Sequence, residues 1–248
     1  MIELIDLHKT FGKQKILDGL NLKIEENQTT VIIGRSGGGK SVLLKHIIGL
    51  LRPESGQVLV DGIDITKLND RELNEVRKKF GMLFQEGALF DSMNVGENIA
   101  FPLIEHTKMN KDEIKEVIAD RLKAVGLSGI EHKLPSELSG GMRKRVALAR
   151  AIALRPEFVL FDEPTTGLDP VLSEAINQLI ITTQKNFNLT CIVISHDLES
   201  IFKIAHKIAL LYNGKIIEYG TPEEIRKSQN PVLVQYLSGS IQGPIQIV

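Results

Sequence analysis

The sequence has little cysteine, no excess of charge of either sign and no long apolar run. A single cysteine, Cys191, among 248 residues excludes a disulfide-built secreted scaffold and points to a reducing compartment. It lies in the apolar run TCIVIS with no activating base beside it, so it reads as a small core residue. Lys and Arg number 30 against 31 Asp and Glu, a net charge of −1. No basic field is available to attract nucleic acid, and no nucleic-acid partner is expected. No stretch approaches the roughly 20 apolar residues that span a bilayer. The opening MIELIDLHKT mixes acids with apolar residues and has no basic-then-apolar leader pattern. The chain is therefore expected to be neither a membrane span nor secreted. It shows no internal repeat and no low-complexity segment.

What is present is enough apolar residue, 42%, for a sizeable core, in a length that suits one large domain or a domain with a lobe. TTVIIG, FVLFDEP, TCIVISHD and KIALLYNG are apolar almost throughout, as strands buried on both faces of a parallel sheet are. Helical spacing alternates with them, in VLLKHIIGLL and in VLSEAINQLIITTQKNF. MIELIDLHKTFG and QVLVDGIDI read instead as antiparallel edge strands, with turns at Gly12 and at Asp61-Gly62. From about Gly87 to Arg150 the chain carries helical stretches such as KDEIKEVIADRLKAVGL and no convincing strand, the pattern of an inserted helical lobe. TPEEIRKS opens like a short capped helix, with Thr221 before a proline and acids in the first turn.

Chemistry concentrates in three places. GRSGGGKS, Gly34 to Ser41, follows a strand and opens a helix. Gly34, Gly37, Gly38 and Gly39 let the backbone curl so that its N–H groups point inward at the positive end of that helix, which suits a polyphosphate. Lys40 reaches the terminal phosphates as a point charge, and Ser41 offers a hydroxyl to Mg²⁺. Next, Phe158 to Phe161 deliver two adjacent acids at the end of a strand. Asp162 is placed to hold Mg²⁺ and Glu163 to accept a proton from attacking water, because neighbouring strand side chains point to opposite faces. Finally, LSGG opens an amphipathic helix, where Ser139 with the amides of Gly140 and Gly141 makes a second anion site. One nucleotide has no obvious use for both helix starts within one subunit, so a homodimer is expected, each ATP held by the loop of one copy and the serine-glycine turn of the other.

These motifs, in this order, resemble an ATP-binding cassette ATPase over essentially the whole chain. GRSGGGKS is similar to its Walker A, FVLFDE to its Walker B and LSGGM to its signature. The resemblance implies a P-loop NTPase core of RecA-like α/β type, with an antiparallel β edge and an inserted helical subdomain. It divides the chain into core residues 1–86, helical subdomain 87–154, core residues 155–225 and a C-terminal extension 226–248. It implies ATP and Mg²⁺ as ligands. Gln85 becomes the Q-loop glutamine, which senses Mg²⁺, water and the membrane partner. Asp169, in the TGLD stretch, joins the loop that crosses the dimer. His196 becomes the switch histidine at the γ-phosphate, and Phe11 the aromatic that stacks on adenine. The implied nucleotide contacts also take in Ser36 and Val42.

Met142-Arg143-Lys144-Arg145 replaces the glutamine-rich run that usually follows the signature, and QEGALFDSMNVGENIAFPL follows the Q-loop. Both resemble ATPases of Mla-type transporters, which move phospholipids across the cell envelope. On residue chemistry alone the basic triplet reads as an exposed helix face. Leu89, Phe90 and Met93 suit an apolar cleft for a membrane subunit. The implied partners are permease subunits and a lipid-binding periplasmic component, with the chain on the cytoplasmic face of the inner membrane. Import or efflux of another solute fits the same motifs. A chromosome-maintenance ATPase would need a long coiled coil, and a small-molecule kinase would lack LSGG. The tail YLSGSIQGPIQIV, with Ile241, Ile245, Ile247 and Val248 and no charge, resembles an extension that crosses to the partner ATPase.

Overall fold

The computed structural model describes residues 1–246. The chain runs through β1 (Ile2–Phe11), β2 (Gln14–Ile24) and β3 (Thr29–Ile33) into α1 (Lys40–Ile47). It continues through β4 (Ser55–Val60), β5 (Ile63–Asp64), α2 (Asp70–Arg77) and β6 (Phe80–Leu83). Three helices follow, α3 (Val95–His106), α4 (Lys111–Ala124) and α5 (Gly140–Ala151). Then come β7 (Phe158–Asp162), α6 (Pro170–Phe187), β8 (Thr190–Ile194) and α7 (Leu198–Ile204). β9 (Lys207–Tyr212), β10 (Lys215–Gly220), α8 (Pro222–Lys227) and α9 (Pro231–Ser238) complete the described elements. They form two compact units, one of Met1–Asn69 with the chain from Ile194 onward, the other of Asp70–Val193.

In the first unit, β1 is the middle of an antiparallel sheet of order β2-β1-β4-β5. Its register sets Ile2 opposite Ile24 and Val60, and Leu4 opposite Leu22 and Val58. All six side chains are buried, because alternate strand residues share one face. The hairpin turns fall at Gly12 and Asp61-Gly62, as expected, with positive φ at all three residues. β9 pairs parallel with β3 and antiparallel with β10. β3 is buried along its whole length, and so are the four central residues of β9, Ile208 to Leu211, so both strands are apolar runs. Thr221 caps α8 through a reciprocal pair with Glu224, and Pro222 takes the first helical position.

The tail closes on its own unit as far as it is described. The Gln235 amide donates to the carbonyls of Ser240 (3.2 Å) and Ile245 (3.1 Å), and its oxygen accepts from the Ile245 N–H at 2.6 Å. The Tyr212 hydroxyl donates to the Pro244 carbonyl at 3.2 Å. Ile241 is left 79% exposed. Ile247 and Val248 lie outside the described residues.

In the second unit β6 and β7 pair in parallel, with Phe80 opposite Phe158 and their rings stacked 4.9 Å apart. α2 and β6 carry no strong sequence signal and are findings of the structure. α3 and α4 each begin with an asparagine in a reciprocal cap, Asn94 with Glu97 and Asn110 with Glu113. Asn98, fully buried on α3, pins the loop before that helix. Its oxygen accepts from the Phe90 N–H (2.9 Å), and its amide nitrogen donates to the carbonyls of Phe90, Met93 and Asn94. Asn98→Ala strands these groups in the interior. It should cost about 3 kcal/mol and lower Tm by roughly 6–12 °C for a chain of this size, read by thermal unfolding.

Candidate functional site

The phosphate loop belongs to the first unit. β3 ends at Ile33, and α1 begins at Lys40. Between them Gly37 and Gly39 take positive φ of 72° and 97°. A Cβ on Gly38 would stand 2.9 Å from the Arg35 carbonyl, and one on Gly39 would stand 2.9 Å from Ile16 Cγ2. A side chain at either place collides with its surroundings, so the cradle needs these glycines. Lys40 is buried, and its Nζ donates at 2.8 Å to the carbonyls of Gly34 and of Arg35. Ser36, Gly37 and Ser41 are exposed at the mouth of the loop, with Val42 half-buried behind them.

A cleft of about 320 Å³ opens here, lined by Ile16, Arg35, Ser36, Gly37, Gly38 and the turn Tyr212–Gly214 among others. Phe11 lies at the end of β1, 48% exposed, with the Lys9 ammonium 5.5 Å from its ring centroid. It is not among the residues lining that cleft. His196 follows β8 and is exposed, and Asp197 beside it caps α7 by accepting from the Glu199 N–H. Gly39→Ala forces alanine into a left-handed backbone against Ile16, a strain of about 1–3 kcal/mol. It should weaken ATP binding roughly tenfold with the fold retained, checked by a nucleotide titration beside circular dichroism.

The acidic and signature residues belong to the second unit. Asp162 is the last residue of β7, while Glu163 has already left the strand with φ 52°. Strand alternation therefore does not separate the two acids, as the sequence suggested. Glu163 takes a left-handed backbone, a conformation uncommon for residues other than glycine. The Thr166 hydroxyl donates to the Glu163 carboxylate at 3.3 Å. Gln85 lies beyond β6 and is exposed.

Ser139 caps α5, accepting from the Met142 N–H at 3.3 Å, and is exposed at the helix start. A Cβ on Gly141 would stand 3.4 Å from Leu172, so the helix start packs close to α6. Asp169 caps α6, accepting from the N–H groups of Val171 (2.9 Å) and Leu172 (3.0 Å), a local use the sequence reading had not given it.

The basic triplet on α5 corrects the reading of an exposed face. Only Arg143 faces solvent. Arg145 donates to the Val125 carbonyl at 3.0 Å, and Lys144 is 7% exposed, with its Nζ 2.7 Å from the carbonyls of Pro164 and Thr166. Burial pushes the Lys144 ammonium down from the usual lysine range, against the pull of Glu86 and Glu163. Arg150, further along α5, donates to the carbonyls of Ala88 (2.8 Å) and Gly87 (3.0 Å), and its guanidinium lies 5.7 Å from the Phe90 ring centroid. Of the expected apolar cleft, Phe90 is exposed while Leu89 and Met93 are half-buried. Phe84, Phe101 and Ile104 of the same unit add exposed apolar surface. No sequence signal singled out Asn98, Lys144 or Arg150, since their partners are backbone carbonyls.

Known proteins resemble the chain over most of its length. The chain is 46% identical over 99% of its length, and 93% of the relative's, to the intermembrane phospholipid transport system ATP-binding protein MlaF of Haemophilus influenzae. It is 44% identical to the probable ribonucleotide transport ATP-binding protein mkl of Mycobacterium leprae, covering 98% of this chain and 70% of that protein. In structure it is similar to the ATP-binding cassette MJ0796, solved as a dimer in a post-hydrolysis state with ADP and Pi, with TM-score 0.81 and 32% identity. That match covers 90% of this chain and 99% of the other. The fold is that of the ABC ATPase cassettes. Residues 17–166 match the ABC transporter family, and with whole-length relatives at this identity the chain belongs to that family as one of its ATPases.

Proposed function

We propose that the chain powers phospholipid trafficking across the cell envelope, as the ATP-hydrolysing subunit of a transporter of the MlaF kind. The observation that carries this is the 46% identity to MlaF across 99% of the chain, which leaves no large segment unmatched. The mkl name favours a second reading, movement of another small solute. Purifying the chain with its membrane partners and identifying the carried molecule by mass spectrometry decides between them. Bound phospholipid supports the first reading, and a soluble solute without lipid overturns it.

In this reading Phe11 stacks on adenine, and the amides from Gly34 to Val42 receive the phosphates. Lys40 leaves the carbonyls of Gly34 and Arg35 for the terminal phosphates, a short exchange of one oxygen partner for another. Ser41, Gln85 and Asp162 offer a hydroxyl, an amide and a carboxylate, all hard oxygen donors that fit Mg²⁺. Bound by these residues, Mg²⁺ would supply charge neutralisation for the phosphates. Glu163 takes the proton from attacking water, and His196 steadies the γ-phosphate. Residues 87–154 form the helical lobe.

A second copy supplies the other half of each site, through Ser139, Gly140 and Gly141. The exposed Phe84, Phe90, Phe101 and Ile104 suit a permease helix. Among the described residues no helix is long and apolar enough to cross a membrane. The permease would then hold the chain on the cytoplasmic face of the inner membrane, with a periplasmic lipid-binding component completing the assembly. Residues 240–245 fold back on Gln235 and Tyr212 of the same copy, so it is the exposed Ile241 that would reach the second copy.

Glu163→Gln should keep ATP binding and lose on the order of 10²–10⁴ in turnover. Near-normal hydrolysis by that variant would remove the assignment. Truncation after Leu237 should leave monomer folding intact and lower dimer content in sedimentation. Equal dimer content in both proteins would remove the tail from the account.

A further inference from the structure

The segment after Glu163 is held within itself by short-range bonds, among them the Thr166 hydroxyl to the Glu163 carboxylate at 3.3 Å. Two backbone hydrogen bonds stand within it, Thr166 N–H to the Glu163 carbonyl at 3.3 Å and Leu168 N–H to the Thr165 carbonyl at 3.2 Å, both long. Yet Glu163 keeps a left-handed backbone at φ 52°, which persists only where the surroundings over-determine it. Pro164 and Thr165 are buried, so the carbonyls of this stretch need donors from the protein.

Lys144 is that donor. Its ammonium reaches the carbonyls of Pro164 and Thr166 at 2.7 Å each, from 20 and 22 residues away in sequence. It spends a buried positive charge on two neutral carbonyls, an expensive arrangement where a neutral donor would serve a merely structural purpose. The carboxylates of Glu86 and Glu163 attract the same cation, so it stands in the field of the acid that it would place. Lys144 also rides on α5, the helix that Ser139 caps, five residues further along the chain. The closeness of Gly141 to Leu172 fixes the start of that helix against α6.

We propose that Lys144 is a positioning residue for ATP hydrolysis. By bridging the Pro164 and Thr166 carbonyls it fixes the backbone that follows Glu163, and so holds the Glu163 carboxylate where it can take a proton from water. Because the bridge starts on α5, the aim of Glu163 depends on where the signature helix stands. The proposal rests on the reading of Glu163 as the general base. It assigns to the second basic residue after the signature a task that a solvated helix face would not have.

Steady-state ATPase measurements on the full chain test it with Lys144→Met, which keeps most of the length of the side chain and removes its donors. Turnover should fall on the order of 10²-fold, the scale of a misplaced reacting group, while KM for ATP stays within about twofold, because only transition-state stabilisation is lost. Lys144→Arg, which restores cationic donors, should recover most of the loss. In a Glu163→Gln background Lys144→Met should remove little more, because the lysine acts through that carboxylate. Unchanged turnover, an equal loss in ATP affinity, or additive losses in the double variant would each overturn the proposal. Should Lys144→Met not fold, Lys144→Gln, whose neutral amide sits on a shorter side chain, carries the test: lower turnover at unchanged KM supports it, and unchanged turnover overturns it. Normal turnover in Glu163→Gln alone would instead remove the reading of the base, whatever Lys144 does.

Discussion

A buried backbone carbonyl that belongs to no helix or strand must still find a donor. The functional loops of this chain are built around that constraint. Lys40 serves Gly34 and Arg35, and Asn98 serves Phe90, Met93 and Asn94. Lys144 serves Pro164 and Thr166, while Arg150 serves Gly87 and Ala88. Each is a long or forked polar side chain on a helix, and each holds a loop that regular structure does not reach. Loops held in this way can keep uncommon conformations, including left-handed backbone at Gly37, Gly39 and Glu163.

The two units meet the constraint differently. At the phosphate loop the glycines leave the backbone amides free of side-chain crowding, and one lysine gathers two carbonyls of the same loop. In the proposed reading a polyphosphate would offer that lysine a charged partner in place of two neutral ones. In the second unit Asn98 on α3 holds the loop before its own helix, while two donors on α5 hold loops distant in sequence, after Gln85 and after the acidic pair. A single helix thus carries the signature serine at its start, the hold on the Glu163 loop in its middle and the hold on residues 87–88 near its end. Any displacement of α5 is felt at both loops, a mechanical link suited to an ATPase whose work is done by moving partners.

Much of the fold was legible in the sequence because its signals are local. Doubly buried strands such as β3 and β8 are apolar runs, the Gly12 and Asp61-Gly62 turns need positive φ, and the Thr221-Pro222 cap is written within four residues. The phosphate loop was legible for the same reason, since strand, glycines and helix adjoin. α2 and β6 were not, being short, with only Leu73 and Val76 buried in the polar α2 and only four residues in β6. Nor was the basis for separating Asp162 from Glu163, which is a backbone turn and not strand alternation.

By itself, then, the sequence determined the nucleotide-binding class, the order of the motifs and the candidate acids, because residue type and near spacing suffice for each. Only the tertiary structure decided what Lys144, Arg145 and Arg150 do. The sequence makes Lys144 one of three neighbouring cations on a helix, and an exposed face is the expectation. In the fold it is 7% exposed and bound to Pro164 and Thr166. The physical reason is that a carbonyl carries no side-chain identity. Every residue has one, so no pattern of residue types marks which carbonyl a distant cation will serve. That choice is made when packing brings α5 beside the chain that follows the acids.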